Sequence, residues 1–436
     1  MKIISSRTAP LLQGWMSNKF IRNVSVVMSG TAIAQVIAMI IVPILSRIYQ
    51  PEQLGVFSLY LSIVTIFSVV SAFRYEIAIV LPKEEDEATR ISILSCIIIG
   101  LLSLTLAFVS LFFGDSITAM LGSPELKPWL IWVPVSVCAT GLYQVLNNWS
   151  TRQKQYKRMS MSLVGRSSSI ATTQIAAGAA GLASSGLIGG QIAGQLIATV
   201  LWIVRTWRES SNLFIKSFSI EKLKQTARKY SEFPFYSTPQ TLVNSLSQNL
   251  PIFMLSYFYG SAVIGLYSLG LRLIQFPVTL VAQSVRQVLL QRISEAKQGE
   301  IDMRQMFIKF TITLALIALL PSLFIIFFGP QLFKIVLGAQ WMEAGVYASW
   351  MVIWMFLSFI SAPALVLMTV FGLQRRLLIY ETLLLAARFG ALFVGGTYFS
   401  VVKCIAMFTL VGVVFNVYLI ASMLKGSKER VKKYGG

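Results

Sequence analysis

The chain has 436 residues, of which 56% are hydrophobic and 12% are charged, and its formal net charge is +20. A soluble domain has about 25% charged residues, so this composition excludes an ordinary soluble protein and a disordered one. The 37 Lys and Arg residues are spread over many short segments between apolar runs, which argues against a nucleic-acid-binding protein.

The residue inventory also excludes several kinds of chemistry. There is no His, so imidazole catalysis and His-ligated metal sites are not available. Cys96, Cys138 and Cys404 lie in separate apolar runs, which indicates neither a disulfide framework nor a metal site, and we expect them to be buried. No GxxxxGKS or GxxxxGKT phosphate-binding loop occurs. We therefore predict no cofactor, and no direct use of ATP.

Twelve apolar runs follow one another along the chain. Runs of about 20 residues match a bilayer crossed by an α-helix, whereas a membrane β-barrel has shorter segments of alternating polarity. We therefore predict an all-α integral membrane protein with about twelve transmembrane helices. The predicted spans 1 to 12 cover residues 24–46, 54–73, 91–113, 127–149, 162–182, 186–207, 237–258, 262–284, 306–328, 344–371, 377–399 and 403–424.

The distribution of Lys and Arg predicts the orientation of these spans. If successive spans alternate in direction, 29 of these residues lie on the side of the N-terminus and 4 on the other side. Positive charges accumulate on the cytoplasmic side, so both termini are predicted to be cytoplasmic. The largest polar segment, residues 208–236, is predicted to be an amphipathic linker on the cytoplasmic membrane surface.

The chain contains an internal repeat. Residues 45–63 (LSRIYQPEQLGVFSLYLSI) and 255–273 (LSYFYGSAVIGLYSLGLRL) align without gaps at an offset of 210, with seven of 19 positions identical. The match relates spans 1 and 2 to spans 7 and 8, which predicts two pseudo-symmetric six-helix lobes with the substrate site at their interface. The predicted N-terminal lobe is 1–207, the linker is 208–236, and the C-terminal lobe is 237–436.

Polar side chains line the four spans that the repeat relates. On span 8, spacings of three or four residues place a polar stripe on one helical face: Arg272, Gln275, Thr279, Gln283 and Arg286. The other three spans add Asn244, Gln248, Arg22, Gln35, Arg74 and Glu76. We therefore predict that spans 1, 2, 7 and 8 line a hydrated central cavity.

The charged members of this set are the first candidates for substrate binding. An Arg at mid-bilayer costs about 2.5–3.5 kcal/mol and usually faces a cavity, so Arg272 is predicted to contact substrate, with a structural ion pair as the alternative. Arg74 and Arg286 lie nearer the cytoplasmic ends, where interfacial anchoring is the alternative. The other predicted substrate-binding residues are Arg22, Gln35, Gln248, Gln275 and Asn244, and the predicted supporting residues are Glu76, Thr279 and Gln283.

Other intramembrane features have structural interpretations. Glu76 is predicted to orient Arg74. Glu381 and Arg388 share a face of span 11 and are predicted to belong to an internal structural network. On span 6, Gly186, Gly190 and Gly194 are four residues apart, a pattern typical of close helix packing.

Four segments carry a resemblance to a known family. The segments 45–63, FRYEIAIVLPKEEDEA at 73–88 and GLIGGQIAGQ at 186–195 resemble the oligosaccharide flippases of the O-antigen (Wzx-like) type, within the multidrug/oligosaccharidyl-lipid/polysaccharide (MOP) exporter superfamily. The segment GLYSLGLRLIQFP at 265–277 is similar to span 8 of the related lipid II flippases, where a cavity arginine lies at the position of Arg272. The resemblance implies a MATE-like (MOP) fold in the bacterial inner membrane.

The resemblance also implies a function without enzymatic activity. The substrate would be an undecaprenyl-pyrophosphate-linked oligosaccharide, moved to the periplasmic leaflet by alternating access, with arginines on the pyrophosphate. A polysaccharide polymerase and a chain-length regulator are implied partners, and H⁺ and Na⁺ both stay open as coupling ions. An ion-coupled multidrug or cation exporter is one alternative, although intramembrane acids are few. A membrane polysaccharide polymerase or ligase is the other, although every predicted outer loop is short.

Overall fold

The structure is a computed structural model that describes residues 19–296, 303–370 and 373–434. Within these ranges the chain forms α-helices with short 3₁₀ and π turns, and no strand. The helices are α1 (Lys19–Ile48), α2 (Pro51–Val69), α3 (Tyr75–Ala78), α4 (Glu85–Leu121), α5 (Lys127–Leu130), α6 (Val133–Arg152), α7 (Tyr156–Ala179), α8 (Ala183–Ser217), α9 (Ile220–Lys229), α10 (Thr238–Tyr259), α11 (Ser261–Ala296), α12 (Met303–Leu337), α13 (Met342–Ile360), α14 (Ala362–Val370), α15 (Gln374–Tyr398) and α16 (Val401–Tyr434).

Every predicted span falls on one helix or on a pair of consecutive helices. Span 4 is the pair α5 and α6, which is bent by 56°, and span 10 is the pair α13 and α14. Among the described residues, nine helices are long and apolar enough to cross a membrane, or ten when the bent pair is included. The two other spans, α7 and α10, are rich in Ser, Thr, Asn and Gln. The prediction of an all-α membrane protein is confirmed.

The helices group into two compact units. Unit 1 contains Met1–Ile41, Phe67–Ser110 and Ile131–Pro239, whereas unit 2 contains Val42–Ile66, Leu111–Leu130 and Gln240–Gly436. Unit 2 therefore combines the second repeat with most of α2 and with those ends of α1 and α4 that are predicted to lie on the outer side. The lobe boundaries given by the sequence repeat, at 207 and 237, stay a prediction.

Two serines that the repeat aligns join helix ends within unit 2. Ser46, near the end of α1, shares its hydroxyl proton between the carbonyl of Pro43 in its own helix, at 2.9 Å, and that of Leu337, the last residue of α12, at 3.2 Å. Ser256, near the end of α10, donates to the carbonyl of Leu121, the last residue of α4, at 2.6 Å. Both hydroxyls satisfy carbonyls that a helix C-terminus leaves without an intrahelical donor. Each repeat thus caps a helix of the other one.

The same symmetry continues in the turns that follow α4 and α12. Each of these helices ends at a leucine, and the glycine that follows has a positive φ, 64° at Gly122 and 115° at Gly338. A glycine is favoured there because L-residues with a Cβ rarely adopt these angles. A 3₁₀ turn follows in both cases, at Pro124–Leu126 and at Ala339–Trp341.

The repeated glycines Gly55 and Gly265 form a close helix crossing in unit 2. A Cβ atom on Gly55 would lie 1.8 Å from the carbonyl oxygen of Ser261, and one on Gly265 would lie 1.9 Å from that of Pro51. The repeat also aligns Pro51 with Ser261, so each glycine packs against the first residue of the other helix. The crossing of α2 and α11 is therefore a reciprocal contact that only glycine permits.

Glycines also set the packing of α7 against α8 in unit 1. A Cβ atom on Gly190 would lie 2.9 Å from the backbone nitrogen of Gln174, and one on Gly194 would lie 2.6 Å from that of Ile170. The hydroxyl of Thr173 donates to the carbonyl of Gly190 at 2.8 Å. For these two glycines the predicted helix-packing role is confirmed.

At the predicted cytoplasmic side of unit 1, an apolar cluster holds α9. Tyr75 and Trp149 are buried in this cluster, and Ala227 of α9 packs against it. The Tyr75 hydroxyl donates to the carbonyl of Ala227 at 2.9 Å, and Lys229 pairs with Glu87 at 2.5 Å. Residues 208–217 continue α8 without a break. The Ala227 side of α9 therefore packs on the protein itself, whereas Ile220 is exposed, and the contact of this segment with the membrane surface stays a prediction.

Candidate functional site

The described face of α11 carries two exposed polar side chains, Arg272 and Gln275. Arg272 is the twelfth residue of α11, which begins at Ser261, so it lies about 16 Å along the helix, near mid-membrane. A guanidinium is unstable against lipid tails, so an exposed arginine at this depth indicates that this face of α11 borders water. In the same predicted stripe, the side chains of Thr279, Gln283 and Arg286 lie outside the described residues.

A chain of side-chain hydrogen bonds links α15 to α10 in unit 2. The Nδ2 of Asn244 donates to Oε1 of Glu381 at 3.3 Å, and Nε2 of Gln248 donates to Oδ1 of Asn244 at 2.7 Å. Gln248 is exposed, whereas Asn244 and Glu381 are half-buried. The other carboxylate oxygen of Glu381 is buried and has no hydrogen-bond partner among the described residues. We call Glu381, Asn244 and Gln248 the amide relay.

Arg388 lies further along α15 in a different environment. Its side chain is buried, its Nη1 donates to the Ser247 hydroxyl at 3.1 Å, and its guanidinium carbon lies 5.3 Å and 4.9 Å from the ring centroids of Trp354 and Phe408. Cation–π contacts with two rings stabilise a buried guanidinium in place of a carboxylate. Among the described residues, no ion pair joins Arg388 to Glu381. Both residues are internal, but each contacts α10 separately.

Two candidate residues, Gln35 and Arg22, lie on α1 in unit 1. Gln35 is half-buried, and its Oε1 has no hydrogen-bond partner among the described residues. This oxygen is an acceptor that a substrate hydroxyl or a water can satisfy. The side chain of Arg22 lies outside the described residues.

Arg74 and Glu76 lie between α2 and α4, outside the membrane-spanning helices. Arg74 has a left-handed backbone with φ 63°, and its Nη1 lies 3.4 Å from Oε1 of Glu76. Glu76 is 2% exposed. Burial raises the pKa of its carboxyl above the ordinary value, and the charge of Arg74 opposes that shift. Glu76 is thus in contact with Arg74, while the supporting role of Glu76 and the substrate-binding role of Arg74 stay predictions.

Arg152, one of the basic residues between the predicted spans, has a defined structural role. Arg152, at the end of α6, donates to the carbonyls of Pro82 at 2.5 Å and Glu84 at 3.0 Å. It also donates to the carbonyls of Ile79 at 3.4 Å and Lys83 at 3.3 Å. These bonds fix the segment between α3 and α4, which is part of the motif at 73–88. Only tertiary structure reveals this, because the partners lie about 70 residues apart.

A comparison with known protein families identifies the family of this chain. The model of the family described as "Polysaccharide biosynthesis protein" matches residues 44–346, more than half of the chain. The chain belongs to this family. No curated protein sequence matches the chain significantly.

Several solved structures have a fold similar to that of this chain. An inward-facing multidrug resistance MATE family transporter of the MOP superfamily covers 95% of this chain and 98% of its own, at 16% identity and a TM-score of 0.66. The lipid II flippase MurJ in an inward closed conformation covers 92% and 87%, at 15% identity and a TM-score of 0.69. A MOP superfamily transporter from Pyrococcus furiosus covers 95% and 96%, at 14% identity and a TM-score of 0.62. At these identities the likeness establishes the MOP fold alone.

Proposed function

We propose that this protein is a flippase for an undecaprenyl-pyrophosphate-linked oligosaccharide repeat unit of the O-antigen type. It moves this molecule from the cytoplasmic to the periplasmic leaflet of a bacterial inner membrane by alternating access. The family is one of polysaccharide biosynthesis, and a structure of similar fold is a lipid II flippase. A glycan on a pyrophosphate does not cross hydrocarbon unaided, because both groups lose their hydration there.

The exposed Arg272 at mid-membrane carries this proposal. A guanidinium forms two parallel hydrogen bonds with phosphate oxygens, so it suits the anionic pyrophosphate. Arg74, Arg22 and Arg286 are the other arginines that we propose as contacts for the pyrophosphate. Gln275 and Gln35 offer neutral hydrogen-bonding groups for the sugars. A gradient of H⁺ or Na⁺ would supply the energy, and a polymerase and a chain-length regulator would act on the product.

A multidrug or cation exporter is the second candidate, because a MATE family transporter has a similar fold. A cation substrate needs accessible acids within the membrane. Here Glu381 is half-buried and bonded to Asn244, whereas the exposed charge on α11 is Arg272. This charge pattern favours an anionic substrate.

The test uses cells that lack the protein but synthesise its glycan. Wild type, Arg272→Ala and Arg272→Lys are compared for lipid-linked oligosaccharide on the outer face of the inner membrane, with expression measured in each. Thr382→Ala is the matched control, because this exposed hydroxyl bonds within its own helix, to Leu378. We expect Arg272→Ala to abolish exposure, Arg272→Lys to keep part, and the control to match wild type. Normal exposure with Arg272→Ala contradicts the arginine contact, and normal exposure without the protein contradicts the flippase.

A further inference from the structure

The amide relay has one exposed end, and that end lies at the depth of Arg272. Gln248 precedes the last residue of α10, Tyr259, by eleven positions, and Arg272 follows the first residue of α11, Ser261, by eleven positions. Only Gly260 separates the two helices. With 1.5 Å per residue, both exposed side chains lie about 16 Å from the same helix-helix turn. The relay therefore reaches the surface near mid-membrane.

Glu381 fixes the direction of every hydrogen bond in the relay. A carboxylate only accepts, so the amide of Asn244 must turn its Nδ2 towards Glu381. That leaves Oδ1 as the acceptor for Gln248, whose Nε2 must then face Asn244. The side-chain oxygen of Gln248 and its second N–H remain on the exposed side. Without Glu381 the amides of Asn244 and Gln248 can each rotate by 180°. The acceptor and the donor that Gln248 exposes then no longer have fixed positions.

We propose that Glu381 is a positioning residue that presents the Gln248 amide to the hydroxyl groups of the glycan, an inference that rests on the proposed function. An oriented amide offers one acceptor and one donor side by side, which matches the hydroxyl and acylamino groups of a sugar. The relay contains no cationic side chain, so it offers no charge pairing to the pyrophosphate. Arg272 then binds the anionic group, while Gln248 recognises the neutral sugar.

The test separates the two contacts with two probes and the purified full-length protein in detergent. The probes are undecaprenyl pyrophosphate and undecaprenyl-pyrophosphate-linked N-acetylglucosamine, and dissociation constants are measured by native mass spectrometry. We define the sugar increment as the dissociation constant of undecaprenyl pyrophosphate divided by that of the sugar-linked lipid. We expect Gln248→Ala and Glu381→Ala to reduce the sugar increment by about three- to tenfold, the value of one neutral hydrogen bond, without weakening the bare lipid. Arg272→Ala should weaken both probes equally, and Thr382→Ala neither.

A double variant distinguishes orientation from the mere presence of charge. In Glu381→Gln the new amide can present either its oxygen or its N–H to Asn244, so neither Asn244 nor Gln248 is held in one orientation and the sugar increment should fall. Adding Asn244→Asp puts a carboxylate between the two amides, and because a carboxylate only accepts, both Gln248 and the new amide must turn an N–H towards it. The double variant Asn244→Asp with Glu381→Gln should therefore recover the increment. Equal effects of the relay variants on both probes, or no recovery, would overturn the relay. A wild-type protein that binds neither probe contradicts the proposed function instead.

Discussion

The two repeats contain equivalent helix pairs that are joined by different chemistry. In the first repeat, the hydroxyl of Ser167 on α7 donates to the backbone carbonyl of Ala34 on α1 at 2.8 Å. The offset of 210 aligns Ala34 with Asn244 on α10, and there the contact is a side-chain amide bonded to Glu381 on α15. Arg388 adds a buried guanidinium to the same pair of helices. At this contact the first repeat uses small neutral residues, whereas the second uses charged ones.

The same asymmetry appears on α2 and α11. The repeat aligns Ser62 with Arg272, and Ser62 is 2% exposed whereas Arg272 is exposed. By contrast, Gly55 and Gly265 are identical and make reciprocal contacts. Residues that are the same in both repeats build the helix packing, and residues that differ place charge in the membrane. The comparison therefore locates the candidate substrate contacts in the asymmetric positions.

The largest effect is expected from removing the asymmetry at Ser62. Ser62→Arg places a guanidinium at a site that is 2% exposed, and an uncompensated buried charge destabilises by about 3–5 kcal/mol. We expect the yield of monodisperse protein after detergent extraction, and its thermal stability, to fall steeply. The aligned Arg272→Ser is the control, and it should keep its stability because its side chain is exposed. A stable Ser62→Arg protein would contradict the distinction between the two positions.

A smaller effect is expected from the symmetric glycines. Gly55→Ala and Gly265→Ala each put a Cβ less than 2 Å from a backbone carbonyl, and such overpacking costs about 1–3 kcal/mol. Because the contacts are reciprocal, both variants should lower the melting temperature in detergent by similar amounts. Gly100→Ala on α4 is the control, since among the described residues its added Cβ would meet nothing within 4 Å beyond its chain neighbours and the nearby backbone of its own helix. If one variant is destabilised and the other is not, the crossing is not symmetric.

How far the sequence predicts this structure depends on the range of the interactions involved. The spans were predictable because the length of an apolar run reflects the bilayer, and the repeat at 45–63 predicted which helices are equivalent. The stripe spacing placed Arg272 and Gln275 on one face, and both are exposed. These are properties of single helices, which the local sequence determines.

The site contacts between helices were less predictable. A spacing of seven residues suggested a shared network for Glu381 and Arg388, yet the structure gives them separate partners on α10. Arg152 looked like an ordinary cytoplasmic charge, although it holds the segment that contains Pro82. In each case the partner is distant in sequence, and only the packing of the helices brings it near.

Replacing the two aligned serines should have a modest effect. Ser46→Ala and Ser256→Ala each remove a hydroxyl that caps a helix of the other repeat, and one such hydrogen bond contributes about 1 kcal/mol. We expect small, similar decreases in the melting temperature, and an additive decrease in the double variant if the sites are independent. Ser29→Ala is the control, because that exposed hydroxyl bonds within α1. If only one of the two serine variants is destabilised, the two capping hydrogen bonds are not energetically equivalent, and the symmetry of the repeats extends only to the backbone.

The smallest effect concerns Glu76, which has no counterpart among the residues that the repeat aligns. Burial raises the pKa of its carboxyl in the folded protein above the unfolded value. The folded state therefore binds the proton more tightly, and this contribution to stability is present below the unfolded pKa and is lost as the pH rises through the folded pKa. Glu76→Gln removes the titration, so the melting temperature should depend less on pH in that window and should be higher at neutral pH. Because Arg74 lies 3.4 Å from the carboxylate and favours its charged form, the gain should be small. A loss of stability at neutral pH would mean that the ion pair outweighs the burial of the charge.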